Sequence, residues 1–399
     1  MTAHIAMIIE AIRTPRGKGK PTGALASVKA VDLLGGLCNT LRERHSGIEN
    51  QVDDALFGCV TQVKDQGSNV GKVALMRANW PATVPAATIN RFCASGLTAV
   101  NQMAAQASIN DTITLAGGVE MMSRTPMFSD EGAMFADKDV ARSVGSVHPG
   151  LGADLVATQH DISRADCDAY AVLSQNRAEA ARKAGRYKSI IPVKDSTGAV
   201  ILDQDETIRA GVTAEVLSRL EPAFAAMGSK GGDARLMELF PELSRIDHVH
   251  HAGNAPAMAD GAALVLLASE AAAQAHGLTP RGRILATAEA NVAITQTGAV
   301  DATRKALLRA GLTPGDIDLW EVRDSFAAVT LHYVRALGID LDRFNVNGSS
   351  IALGHPMGAT GAMLIGSMLD EMELRGSRYG VAAIAGAAGV ATATVVERV

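Results

Sequence analysis

The sequence is short of cysteine, of aromatics and of any surplus of positive charge, and each shortage removes a class of protein. It holds four cysteines, Cys38, Cys59, Cys93 and Cys167, with no CxxC pair among them. That spacing supports neither a disulfide framework nor a cysteine-rich zinc site, and a reducing cytoplasm is the expected compartment. The formal net charge is -5, so there is no global basic footprint for nucleic acid, and the scarcity of aromatics, 4% of residues, beside abundant glycine suits an α/β protein with close helix–sheet contacts. No uninterrupted apolar run reaches the length of a membrane span. The opening run from Thr2 to Glu10 is apolar and of strand length, and it lacks the charged start and cleavage region of a signal peptide.

What is present is a chain of 399 residues, 47% hydrophobic and with 39 glycines. That is length for two or three domains with a large core. Strand patterns over 5–11, 52–60, 85–89 and 112–120 alternate with helical spacing over 28–44, 70–78 and 96–107. The alternation predicts a layered α/β domain with a largely parallel sheet. From Met121 to about Asp247 methionines, prolines and charged helices replace it. A helix over 163–185 opens on Ser163 as its cap, and Gly228 to Asp233 reads as a flexible loop. This stretch reads as an insertion packed over the first domain, where a substrate-covering element can sit. The last third returns to alternation and echoes the first. Leu312 to Val322 repeats the rhythm of the segment at Val52, and Phe344 to Gly358 repeats the segment around Cys93. A duplicated half-fold would bring two equivalent corners to one cleft.

Cys93 lies at one corner, between a short strand and an Ala-rich helix. A helix N-terminus favours thiolate and supplies N–H donors for a forming oxyanion. A cysteine at such a corner is also compatible with an inert core role. His355 lies at the matching corner, in a Gly-His-Pro turn that leads into a Gly- and Ala-rich helix. It can take a proton from a thiol across the cleft, or simply bond to its own loop.

The wording of these segments resembles the thiolase family over essentially the whole chain. Asn90-Arg91-Phe92-Cys93-Ala94-Ser95-Gly96, Gly117-Gly118-Val119-Glu120-Met121-Met122-Ser123, Asp205-Glu206-Thr207-Ile208-Arg209 and Gly253-Asn254-Ala255 carry the likeness. Asp260-Gly261-Ala262-Ala263, Asn345-Val346-Asn347-Gly348 and the run from Ile351 to Gly361 complete it. The resemblance implies duplicated βαβαβαββ halves in a five-layered αβαβα arrangement with an inserted loop domain. The expected division is 1–120 for the half with the nucleophile, 121–250 for the insertion over CoA and 251–399 for the half with the histidine. The implied activity is ping-pong transfer of an acyl group from a 3-ketoacyl-CoA to CoA, or the reverse condensation, through Cys93 activated by His355. CoA enters as substrate, with no permanent cofactor and no metal. By motif position His148 falls beside the thioester, and Phe326 flanks the pantetheine. A homodimer or homotetramer is implied, and a hydratase/dehydrogenase subunit of a β-oxidation complex is an admissible partner.

Three site positions depart from the family pattern. Arg323, in Arg323-Asp324-Ser325-Phe326-Ala327, replaces an asparagine that helps form an oxyanion hole. Ala383 stands where the family has a second, acid/base cysteine, in a loop that continues through Gly386. Pro256 replaces a serine that faces the pantetheine. Arg323, Asp324, Ala383 and Gly386 thus mark the oxyanion and acid region, and Asp324 is a candidate replacement acid. The departures leave two other readings open: acyl transfer or thioester hydrolysis without C–C chemistry, and a non-catalytic acyl-CoA-binding subunit. Outside this set, His248 and His250 would share a strand face without a completed ligand set. Arg182, Lys183, Arg186 and Lys188 could meet CoA phosphates or form a solvated helix end.

Overall fold

The computed structural model describes residues 6–399, so Ile5 and the opening residues 2–4 lie outside the described residues. The first third forms β1 (Met7–Arg13), α1 (Ala30–Arg44), β2 (Val52–Gly58), α2 (Val70–Arg77), β3 (Ala87–Ile89), α3 (Ser95–Asn110) and β4 (Ile113–Met121). Each falls within a few residues of its expected span. The insertion carries α4 (Pro149–Gln159) and α5 (Arg164–Lys183). Ser163 caps α5 and Asp166 returns a bond to the cap, two orphan donors satisfied at once. The chain then enters β5 (Ala259–Ala268), β6 (Gly282–Asn291), α6 (Ala299–Ala310), β7 (Leu319–Val322), α7 (Ala327–Leu337), α8 (Met357–Arg375), β8 (Tyr379–Ala385) and β9 (Val390–Arg398).

The sheet is mixed, not largely parallel. β2 pairs parallel with β3 and β4, whereas β5 runs antiparallel to both β4 and β1. In the second half β7 and β8 are parallel and β9 is antiparallel to its neighbours. The short turn between β8 and β9 allows only an antiparallel return, because a parallel crossover needs a dozen or more residues.

The strand order is β7-β8-β9-β6-β1-β5-β4-β2-β3. Outward from the β6–β1 seam, each half places its first strand, its last, its fourth and then its second. The third follows as β3 in one half and as a bridge from Phe344 to Trp320 in the other. The halves therefore share one strand order about the seam.

This order corrects one expected boundary. β5 lies within 251–399, yet it pairs with β1 and β4 and completes the first half. The insertion interrupts that half just before its returning strand. A second correction concerns Gly228 to Asp233, which winds into a helical turn kinked at Lys230 and Gly231.

Apolar side chains divide into three main cores that define five layers. α1 and α2 cover the outer face of the first half-sheet, and α6 and α7 cover that of the second. α3 and α8 fill the space between the half-sheets. α8 is buried all round from Met357 to Met372, as a central helix must be.

The two helices meet through backbone. A Cβ at Gly118 would stand 2.1 Å from the Gly358 carbonyl oxygen, and one at Gly58 or Gly96 would stand 2.6 Å from it. Only glycine leaves room for the first turn of α8 at β2, α3 and β4. Gly118→Ala should therefore lower stability by at least about 1–3 kcal/mol, the usual cost of overpacking, read as a fall in thermal midpoint. An unchanged midpoint would mean that β4 and α8 do not meet this closely.

Candidate active site

The Cys93 corner is built by its own short polar residues. Asn90 Oδ1 accepts from the Phe92 N–H at 2.8 Å, and Ser95 Oγ accepts from the Arg91 N–H at 2.8 Å while donating to the Phe92 carbonyl. These bonds hold Phe92 at φ 48, a left-handed conformation that is uncommon for a bulky residue and is found at functional turns. The other corner repeats the device. Gly354 has φ 90 and His355 follows it, as Cys93 follows Phe92. Each reactive side chain leaves a sharp bend one residue after a positive φ.

Both open on one cavity of about 330 Å³, lined by Cys93, His355, Arg323, His148, Pro256 and Phe326 together with further apolar groups. Phe128, Phe135 and Phe224 of the insertion form part of its wall. The volume and the largely apolar lining with a few polar groups are those of a small-molecule site.

His355 has a defined tautomer. The Thr360 hydroxyl donates to the Pro356 carbonyl at 3.0 Å, so its oxygen accepts from His355 Nδ1–H at 2.7 Å. Nε2 is left bare, buried and without a protein partner. Burial, with Arg323 and Arg16 nearby, holds the imidazole well below its ordinary pKa and hence neutral. Thr360 was not singled out from the sequence, although it lies five residues beyond the histidine, in the first turn of α8.

Cys93 is the one partly exposed cysteine, whereas Cys38, Cys59 and Cys167 are buried. The sequence suggests a lowered thiol pKa. The structure instead has it raised: burial outweighs Arg323 and the N–H groups of Cys93 and Ala387, all of which favour the thiolate, and Glu120 adds to burial. The helix terminus alone does not overcome desolvation.

The other expected groups separate. Asp324 does not line the cavity. Its carboxylate accepts from Ser174 Oγ at 3.1 Å and from the Ile351 N–H at 2.9 Å, and burial pushes it up to about 7. It ties α5 to the second half. Ala383 lies within β8, opposite Val322 and Ala393, and presents no acid or base. The Gly386 N–H is committed to the Val390 carbonyl at 2.7 Å, so the donor at Cys93 is Ala387 instead. His148 caps α4 by accepting the Gly150 N–H at Nδ1, and its ring lies against Phe224. Phe326 starts α7 and meets His250 and Phe224 edge-on.

His248 and His250 do not lie on a strand. Both bond Asp154, at 2.8 and 2.7 Å, and His250 Nε2 accepts from the Ala328 N–H. This network seats the insertion on α7. Among the described residues no group of three His, Cys, Asp or Glu side chains is placed to hold a metal ion. Of the expected phosphate-binding cations, Arg182 and Lys183 pair with Glu179, and Arg186 pairs with Glu371.

A thiol, a bare imidazole nitrogen, a cation and two N–H donors around an apolar cavity can make and break a thioester. The fold and this arrangement define a thiolase-type acyltransferase. The thiolase N-terminal domain model matches residues 6–233 and the thiolase C-terminal domain model matches residues 278–398. A 3-ketoacyl-CoA thiolase of Cronobacter sakazakii is 38% identical over 98% of this chain and 99% of its own. A 3-ketoacyl-CoA thiolase of Aeromonas hydrophila shows the same identity and coverage. A beta-ketoadipyl-CoA thiolase of Pseudomonas putida is 36% identical over 98% of this chain and 99% of its own. The chain belongs to the thiolase family.

Behind the site, Glu321 of β7 is buried with Oε1 unpartnered, and burial beside Glu371 pushes its pKa up to about 8 from 4.5. The unfolded chain releases this proton near 4.5 and the folded chain keeps it to about 8. Stability therefore falls as pH rises through that window. Glu321→Gln removes the loss, so its gain in thermal midpoint over the parent should be larger at pH 8 than at pH 5. Equal gains at the two pH values would contradict the burial of an unpaired carboxyl there.

Proposed function

We propose that the protein transfers acyl groups between a 3-ketoacyl-CoA and CoA, with Cys93 as nucleophile and His355 as its base. The observation that carries this reading is the shared cavity: Cys93 and the unpartnered Nε2 of His355 open on the same apolar space. His355 accepts the thiol proton and Sγ attacks the 3-keto carbon. The N–H groups of Cys93 and Ala387 stand at the sulfur, where the oxygen of the tetrahedral intermediate would draw on them. Acetyl-CoA leaves, and CoA takes the acyl group from Cys93. The likeness to 3-ketoacyl-CoA and beta-ketoadipyl-CoA thiolases supports a 3-ketoacyl-CoA substrate.

The insertion, 121–250, covers the CoA arm in this reading, with His148 and Phe326 beside the thioester and pantetheine and Pro256 next to them. CoA is a substrate and no cofactor stays bound. The working form is a homodimer or homotetramer in the cytoplasm, and a hydratase/dehydrogenase subunit is a candidate partner. Among the described residues no helix is long and apolar enough to cross a membrane.

Incubation with a 3-ketoacyl-CoA should release one acetyl-CoA as it adds one acyl mass to Cys93, and CoA should then discharge the acyl group. Cys93→Ala should abolish both events. His355→Ala should slow acylation by about 10²–10⁴-fold, the range for a lost general base. An adduct without acetyl-CoA release would restrict the enzyme to thioester exchange. Undiminished turnover in Cys93→Ala would end the reading.

A further inference from the structure

Arg323 is an unusual group to find on the wall of this cavity. It is 4% exposed, and its Nε has no hydrogen-bond partner. Nη1 donates to the Ala385 carbonyl, and the backbone N–H donates to that of Ala383. The side chain is therefore held by the strand that lacks the second cysteine. Among the described residues no carboxylate forms an ion pair with it. The adjacent Asp324 gives its oxygens to Ser174 and Ile351. A buried cation without a counter-ion is costly, and Cys93, once it is a thiolate, is the neighbour that most favours its charge, ahead of Asp324.

We propose that Arg323 is a catalytic residue: a fixed counter-cation to the sulfur of Cys93 and to the substrate oxygen that turns anionic, leaving His355 as the only proton carrier. This rests on the reading of Cys93 and His355 given above. The proton count then closes without a second acid. Cys93 passes its proton to His355 Nε2, and Sγ bonds to C3 of the 3-ketoacyl thioester. The C2–C3 bond breaks, and its electron pair remains on the leaving acetyl-CoA as an enolate. Nε2 returns the proton to C2, and acetyl-CoA departs. The thiol of the second CoA gives its proton to Nε2, its sulfur bonds to the acyl carbon, and the Sγ–C bond breaks. The Cys93 thiol then recovers the proton. The guanidinium never gains or loses one, and it lowers the energy of each anion in turn. An alanine at position 383 is compatible with this scheme, because stabilising the enolate replaces part of what a second acid would do.

The test uses the full chain with Arg323→Gln and Arg323→Lys. Iodoacetamide alkylation of Cys93 is followed against pH by peptide mass, beside turnover of the 3-ketoacyl-CoA. Glu120, Arg16, His355, His148, Asp130 and Arg91, the last paired with Glu289 at 3.6 Å, are the other charged or titratable groups at the two corners or on the cavity wall, and all stay unchanged. In Arg323→Gln the alkylation midpoint should move to higher pH. Turnover should fall about 10²-fold, as when an oxyanion donor is removed. Arg323→Lys should recover part of both, and the thermal midpoint of Arg323→Gln should equal or exceed the parent's, because an unpaired buried charge is gone. An unmoved alkylation midpoint with parental turnover in Arg323→Gln overturns the proposal, as does faster turnover, which would make the guanidinium an obstruction. Failure of the parent itself to form acyl-Cys93 overturns the underlying reading along with it.

Discussion

The site depends on the seating of one carbonyl. The Gly358 oxygen fits against the backbone of Gly58, Gly96 and Gly118, and the Gly358 N–H donates to Glu120 Oε2 at 2.9 Å. Glu120 also accepts from the N–H groups of Val60 and Thr61, in the loop after β2. One residue of the second half is thus gripped by the first through both its N–H and its carbonyl. Since His355 lies three residues before Gly358, and Cys93 three before Gly96, this grip sets the two corners against each other. A side chain at any of the three glycines would force the halves apart.

The surrounding polar groups serve the same end. Arg13 reaches Asp205 through two bonds, at 2.7 and 2.8 Å, within the core. Thr207 donates to the Ala352 carbonyl at 2.8 Å, and Arg16 donates to the Gly354 carbonyl at 3.2 Å. These contacts fasten the insertion and the basic loop after β1 to the bend that carries His355. Charged groups this deep are costly unless paired, and removing one partner leaves the other stranded. They give the His355 bend a single position. Arg16 and Arg323 are the exceptions, buried cations that form no ion pair among the described residues, and Arg323 lines the same cavity as Cys93; exceptions of this kind concentrate where chemistry occurs.

Much of this was legible in the residues. Alternating patterns located the strands and helices of both halves, and the repeated spacing of Cys93 to Gly96 and His355 to Gly358 pointed to two matched corners. What the chain could not disclose was long-range pairing. β5 reads as an ordinary apolar strand, and only its hydrogen bonds to β1 and β4 assign it to the first half. The direction of the Cys93 pKa was also hidden, because helix-end stabilisation is local whereas desolvation depends on everything packed around the sulfur. Asp324 and Gly386 were sensible site candidates by position, yet each spends its polar groups on neighbours. The bend before each reactive residue, Phe92 in one half and Gly354 in the other, needed backbone angles to be seen.

The central claim is that backbone contact between the halves places a thiol and a bare imidazole nitrogen on the two sides of one bound thioester. A crystal structure with an acyl-CoA bound tests it most directly. The account predicts the thioester carbon in the cavity, with Cys93 Sγ and His355 Nε2 both within reach of the reacting atoms, about 3–3.5 Å. The acyl-CoA bound elsewhere, or the two groups turned to separate spaces, would contradict it.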